Sequence, residues 1–327
     1  MATPAARAVK SAFPDCQVAW AVEGRFSELV DGNPYIDHVL ACGQGGGRPS
    51  LREFCELAIA VRRQRYDAVI DLHGIARSAL LAISSGAPRR LGRAHAREFA
   101  RLAYNEPVVC EHLPCGMAMH FAVLKSLSSE VCFRHSDMLV PVRDEDRRFA
   151  EEFVRTEIGD DAPFAVLLPA TTRPNKHWVA QYWSELADLV QSRLGLRPLL
   201  LGSARDRELM DSILSSVRGR GISAAGRTTL LQAAALIERS PLAIGVDNGL
   251  MNIAVALQRP TVAIFGPTQT WRNHQHAPLF IPVYEPMNCS PCQRRPTCRG
   301  FDCMAAVRPD RVLVAAEDAL SRPGVLV

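Results

Sequence analysis

Short runs of consecutive apolar residues, each followed by a longer amphipathic stretch, recur along this chain. Phe164–Leu168, Pro198–Leu201, Leu242–Val246 and Thr261–Phe265 carry no charged side chain. A strand with one wet face alternates polar and apolar residues; runs like these are dry on both faces. They therefore predict a parallel sheet covered by helices, and the stretches between them have helical periodicity: Val179–Leu194, Asp206–Val217, Leu230–Glu238, Gly249–Leu257 and Pro309–Leu320. In the first half, strands are expected at Val18–Val22, His38–Ala41 and Ala68–Leu72. Helices are expected at Leu51–Arg65, Ala76–Ile83, Ala96–Tyr104 and Met117–Ser126. The charged segment Asp144–Thr156 reads as a helix between the halves, and Gly159–Pro163 as a break. The expected class is α/β: two doubly wound, Rossmann-like domains, 1–158 and 159–327, with a ligand in the cleft at the strand C-termini.

Composition removes other classes. With 327 residues, 48% hydrophobic and 22% charged, the chain has the makings of two cores and is not a disordered polymer. No apolar run reaches the 18 or so residues of a membrane span, and the N-terminus shows no signal-peptide pattern. The formal net charge of +4 is too small to argue for nucleic acid, so no nucleic-acid partner is expected. Ten cysteines without an export signal read as cytoplasmic thiols.

Four loops follow predicted strands on one rim of the second half. In Ala170–Trp178, Thr171, Thr172, Arg173 and Lys176 fall within six residues; hydroxyls, backbone N–H groups and a lysine suit a phosphorylated ligand. Around Asp247, Asn248 and Gly249 a strand passes into a helix whose N-terminus favours a diphosphate, or whose Asp and Asn only cap it. After Leu201, Asp206 is placed to accept ribose hydroxyls or to start a helix. Gly266-Pro267-Thr268 adds another small, hydroxyl-bearing loop. Together they predict a nucleotide-diphosphate site. In the first half, Asp71, His73, Arg77 and Arg97 are candidates to face an anionic acceptor, against the plainer reading of solvated helix faces. Cys289, Cys292, Cys298 and Cys303 begin with a C-x2-C pair of zinc-site type, but only five residues separate it from the C-x4-C pair. Loop thiols are the expected reading, with no bound metal.

These stretches resemble a known family. Thr171-Thr172-Arg173-Pro174-Asn175-Lys176-His177-Trp178 resembles the T-T-R-x-x-K-H-W motif of the lipopolysaccharide heptosyltransferases of type I, in glycosyltransferase family 9. Val246–Leu250 resembles that family's V-D-T-G-L; Val69-Ile70-Asp71 with Gly74 and Ser78, Arg97-Glu98 and Tyr104-Asn105 resemble further segments. The cysteine cluster with Met304 and Pro309 is more like the type II enzymes. The resemblance implies a GT-B fold and inverting transfer of L-glycero-D-manno-heptose from ADP-heptose to the Kdo of lipid A, with no cofactor. That acceptor places the enzyme in the cytoplasm, peripheral at the inner face of the inner membrane. It implies that Thr171, Thr172 and Lys176 bind the donor diphosphate, that Lys176 also stabilises the departing ADP, and that Asp206, Asp247, Asn248 and Gly249 complete the donor site.

Several departures bear on those roles. Asp206 stands for a glutamate, Asn248 for a threonine, Asn252 for a histidine, His73 for a glutamine and Arg77 for a lysine. The family's proposed general base, an aspartate in a Gly-Asp loop after the first strand, has no counterpart in this chain, whose Met1–Pro4 corresponds to positions just beyond it. Thr3 as N-cap and Pro4 at N1 predict that the chain opens with a helix. A doubly wound domain opening without its central strand would leave two strand edges unpaired. The expectation is thus that Met1 is internal to a longer reading frame. The alternatives are another family 9 transferase, including type II, or an inactive nucleotide-sugar-binding relative lacking the base.

Overall fold

The computed structural model describes residues 2–43, 49–110, 113, 116–132, 134, 137–159, 162–268, 274, 277–293, 296 and 298–322. Met1, Cys115 and the Asp160-Asp161 part of the expected break lie outside these. The chain forms two compact units, Met1–Pro141 and Val142–Val327.

The first unit runs α1 (Pro4–Ala12), β1 (Ala19–Glu23), β2 (His38–Cys42), α2 (Leu51–Arg63), β3 (Ala68–Asp71), α3 (Ala76–Ser85), β4 (Arg89–Arg93), β5 (Glu106–Val108) and α4 (Gly116–Lys125). Its strands pair in parallel as two sheets, β1-β2 and β3-β4-β5. Pro4 opens α1 as expected, but the expected Thr3 cap is not made: Thr3 is itself helical in its dihedrals and its side chain caps nothing. Ser50 does cap α2, in a capping box with Glu53. The helix expected over 96–104 shrinks to a 3-10 turn, Ala100–Ala103, because Glu98 and Phe99 both take left-handed backbone angles. Ala5, Ala8, Leu124 and Val131 form one small core, with Trp20, Ile70 and Leu72 packed on it.

The second unit runs α5 (Asp144–Phe153), β6 (Phe164–Leu168), α6 (Ala180–Leu194), β7 (Arg197–Leu200), α7 (Arg207–Leu214), β8 (Ile222–Ser223), α8 (Leu230–Arg239), β9 (Leu242–Val246), α9 (Gly249–Ala256), β10 (Thr261–Ile264), β11 (Phe280–Val283), α10 (Asp302–Ala305) and α11 (Pro309–Ser321). Six parallel strands lie in the order β11-β10-β9-β6-β7-β8. Numbered from the first strand of this unit, that is 3-2-1-4-5-6 read from β8, the doubly wound order of dinucleotide-binding folds. Every residue of β6, β9 and β10 is buried, as their unbroken apolar runs require.

The boundary between units falls after Pro141, where the sequence reading placed it after Ile158. The cause is α5, which packs against α8 and is tied to it by Arg147–Glu238 at 2.8 Å. Four strands escape the apolar-run criterion. β4 reads Arg-Arg-Leu-Gly-Arg; β5 has three residues and a proline; β8 has two residues; β11 is interrupted by Pro282.

Candidate functional site

In a doubly wound sheet, ligands bind beyond the strand C-termini where the strand order reverses. Here that reversal lies between β6 and β9, which are hydrogen-bonded neighbours. The loop after β6 carries Thr171 to Lys176; the turn after β9 carries Asp247 to Gly249. The two meet directly. Lys176 Nζ donates to the Asp247 backbone carbonyl and lies 3.1 Å from Asp247 Oδ2. Both side chains are largely but not wholly enclosed. Burial pushes the Lys176 ammonium below the ordinary lysine value; Asp247 opposes that and Arg173 adds to it.

Asn248 joins the same two loops. Its Oδ1 accepts the Met251 N–H at 2.8 Å as N-cap of α9, and its Nδ2 donates to the Leu168 and Ala170 carbonyls at 3.0 and 2.9 Å. The capping reading therefore holds for Asn248, while Asp247 is turned to Lys176. Gly249 opens α9, and a Cβ built there would meet nothing within 4 Å, so no packing among the described residues calls for glycine. The empty space lies at a helix N-terminus, where backbone N–H groups offer partial positive charge.

The loop after β6 is held at both ends. At its far end Trp178 is buried, donates from Nε1 to the Val307 carbonyl at 2.8 Å, and stacks edge-on against Trp183. In its middle, buried Asn175 and Arg173 donate to the Gln293 carbonyl at 3.0 and 3.3 Å. No hydroxyl partner for Thr171 or Thr172 is found among the described residues, and Thr172 is exposed. Asp206 uses Oδ2 on its own turn, accepting from Ser203 N at 2.8 Å and Ser203 Oγ at 2.6 Å.

Sequence reasoning missed the second layer. The Gly266 carbonyl accepts from Ser290 Oγ, and the Pro267 carbonyl accepts the Gln293 N–H at 2.7 Å. Gly266 is required by packing, since a Cβ there would stand 2.6 Å from Met304 Sδ and 2.8 Å from Cys303 Sγ. Thr268 Oγ1 is buried with no partner among the described residues, beside this rim. Asn252 Oδ1 pairs with Nε2 of the fully buried His274 at 2.7 Å, and its Nδ2 donates to the Asn248 carbonyl at 2.7 Å. A lone histidine with no periodic context gave no signal for this contact. The Cys303 thiol is pushed up chiefly by burial, then by Cys292, Cys298 and Cys289. Among the described residues no group of three or more His, Cys, Asp or Glu is arranged to hold a metal ion.

In the first unit, Asp71 is buried and its carboxylate is fully engaged. Oδ1 accepts the His73 and Gly74 N–H groups, both at 2.9 Å; Oδ2 accepts Ser78 Oγ at 2.8 Å and the Tyr104 hydroxyl at 2.6 Å. Burial and the Asp71 carboxylate drive the Tyr104 phenol far above its usual range. Gly92 makes room for that ring, for a Cβ there would overlap it. Arg97 N donates to the Gly74 carbonyl at 3.0 Å, and Glu98 accepts the Ala76 N–H at 3.1 Å. Arg77 pairs with Glu23. Desolvation works against the Glu23 carboxylate, but Arg77 and Arg25 hold it low. His73 is pulled down by partial burial, against Asp71 and with Arg97 and Arg77. So Asp71 holds the turn of His73 and Gly74, the Arg97 backbone is tied to that turn at Gly74, and Arg77 follows it in α3.

A doubly wound sheet with a cation–carboxylate pair and a helix N-terminus at its switch point is the frame of a nucleotide-binding enzyme. Residues 54–300 match Glycosyltransferase family 9 (heptosyltransferase), about three quarters of the chain. The chain belongs to this family and is a glycosyltransferase. It is 29% identical to lipopolysaccharide heptosyltransferase 1 of Salmonella typhimurium over 274 residues, 81% of this chain and 83% of that one. To lipopolysaccharide heptosyltransferase 2 of the same organism it is 24% identical, over 98% of this chain and 94% of that one. Its fold is similar to the family 9 glycosyltransferase of Veillonella parvula, with TM-score 0.82 and 23% identity over 98% of this chain and 92% of that one. It is also similar to Escherichia coli heptosyltransferase WaaC with ADP, with TM-score 0.72 and 21% identity over 97% of this chain and 95% of that one. The fold is thus GT-B. Among the described residues no helix is long and apolar enough to cross a membrane.

Proposed function

We propose that this protein transfers L-glycero-D-manno-heptose from ADP-heptose to the Kdo of lipid A, as an inverting heptosyltransferase of type I. The observation that carries the reading is the Lys176–Asp247 pair at the β6/β9 switch point. In this reading the second unit binds the donor. The N-terminus of α9 at Gly249 and the Thr171 and Thr172 hydroxyls bond the diphosphate, and Oδ1 of Asp206 takes a ribose hydroxyl. The acceptor hydroxyl oxygen bonds to the anomeric carbon and gives up its proton to solvent as the C–O bond to ADP breaks, and negative charge grows on the departing ADP. The Lys176 ammonium, held in an enclosed site, stabilises that charge more than it stabilises the intact donor, which lowers the barrier. Asp247 keeps the ammonium charged and aimed.

The first unit takes the acceptor, with Arg77 and Arg97 facing its anionic groups, His73 between them, and Asp71 shaping their loop. A lipid acceptor puts the protein at the inner face of the inner membrane. The type I reading rests on the T-T-R-x-x-K-H-W stretch and on the greater identity to heptosyltransferase 1. Purified protein with ADP-heptose and either Kdo-lipid A or its singly heptosylated product tests it. Transfer to the first and not the second is expected; the reverse preference would make it a type II enzyme.

A further inference from the structure

Four exposed apolar side chains of the first unit take no part in the site described above. Phe99 and Leu102 are 85% and 75% exposed, and Leu80 and Ile83 are 53% and 55% exposed. They stand on adjoining elements: Ala79 of α3 packs against Ala100 and Ala103 of the 3-10 turn, which joins the two elements beneath them. Large apolar side chains at such exposure are normal singly, but a contiguous group marks an interaction surface.

The backbone points the same way. Glu98 and Phe99 are consecutive non-glycine residues in the left-handed region, at φ of 55° and 61°. Each is a conformation that L side chains adopt at a cost, and such strain persists where surroundings enforce it, often at functional places. Here the Glu98 carboxylate accepts the Ala76 N–H and the Arg97 N–H is fixed to the Gly74 carbonyl. The result holds Phe99 out in water.

The rim is basic. Arg97 and Arg101 are exposed in the same segment, and the Arg62 guanidinium lies against Gly86 at the end of α3, beyond Ile83. Glu98 is the one acidic side chain of the segment 97–102, against the two arginines Arg97 and Arg101. The patch also continues into the acceptor neighbourhood: Arg77 shares α3 with Leu80 and Ile83, and Arg97 adjoins Phe99.

We infer that Leu80, Ile83, Phe99 and Leu102, rimmed by Arg62, Arg97 and Arg101, form the face that seats this enzyme on an anionic lipid bilayer. Apolar tips enter the headgroup boundary while the arginines meet lipid phosphates. A lipid-linked acceptor would then reach Arg77 and Arg97 without leaving the bilayer, and this step rests on the proposed lipid acceptor. A second copy of the chain fits less well. Four side chains offer on the order of 400 Å², about half of what each partner contributes to a standard interface.

The test is co-sedimentation with vesicles of phosphatidylglycerol and phosphatidylethanolamine, with pure phosphatidylcholine vesicles as the uncharged reference. The wild type is expected to partition onto the anionic vesicles. F99S/L102S and L80Q/I83Q, both on exposed positions, are expected to lower that partition by roughly tenfold or more, with unchanged circular dichroism. A tryptophan placed by F99W is expected to be quenched by brominated lipid. Equal partition of wild type and both double variants, an unquenched tryptophan, or variants that instead abolish a dimer in sedimentation velocity would overturn the inference. ADP-heptose binding is measured in parallel; its absence alongside intact vesicle binding would count against the donor reading and not against this surface.

Discussion

Lys176 and Asp247 stand 71 residues apart in sequence and 3.1 Å apart in space, across the point where the strand order of the second unit reverses. Neither residue is informative alone. A lysine in a polar turn and an aspartate before a helix are common; a largely enclosed ion pair at a switch point is not, and it is there that the diphosphate is proposed to bind.

Replacing Lys176 by alanine removes the charge proposed to meet the leaving group. Transfer is expected to fall about 10²–10³-fold in kcat, with a smaller change in donor affinity. Steady-state kinetics check this. A loss confined to KM would mean that Lys176 binds ground state and transition state alike.

Burial lowers the Lys176 pKa from 10.5. The charged form is therefore lost earlier than in an exposed lysine as pH rises. The alkaline limb of kcat/KM is expected below the ordinary lysine value. The limb of kcat should lie higher, because a bound diphosphate favours the ammonium. Lys176→Arg, which stays charged, should abolish the limb while lowering the rate. A limb unchanged in that variant would assign it to another group.

Asn248→Ala removes the α9 cap and both donations to the loop after β6. A stability loss of about 2–3 kcal/mol in urea unfolding is expected. Asn248→Asp keeps the cap but cannot donate to the Leu168 and Ala170 carbonyls. It should recover only part of the loss, and full recovery would show that the two donations contribute nothing.

Gly92→Ala drives a Cβ into the Tyr104 ring and is expected to destabilise by about 1–3 kcal/mol. Tyr104→Phe leaves Asp71 short of one donor and should cost about 1–3 kcal/mol. Thermal melts read both. If the Asp71 network shapes the acceptor loop, Tyr104→Phe also raises the acceptor KM and leaves the donor KM unchanged.

The legible parts of the sequence are those governed by local burial. β6 and β9 lie at their expected bounds because Phe-Ala-Val-Leu-Leu and Leu-Ala-Ile-Gly-Val are dry on both faces. Lys176, Asp247 and Asn248 were visible as rim residues because rim loops follow such strands. What stayed hidden depends on contacts far apart in sequence. β4 is a strand despite three arginines: Arg89 pairs with Glu106, and Arg90 donates to the Ala103 carbonyl. Thr3 reads as a cap, yet α1 begins without one. Asp71 reads as a ligand-facing carboxylate, and only the approach of Tyr104, 33 residues away, shows it to be occupied. Gln293 carries its signal in a backbone carbonyl, which no residue type reveals.

The most direct measurement is heptose transfer from ADP-heptose to Kdo-lipid A by the purified protein, followed by mass spectrometry of the lipid, with Lys176→Ala alongside. The account predicts addition of a single heptose by the wild type and its near loss in the variant, with the variant still folded. Donor binding without transfer by the wild type, or undiminished transfer by Lys176→Ala, would contradict it.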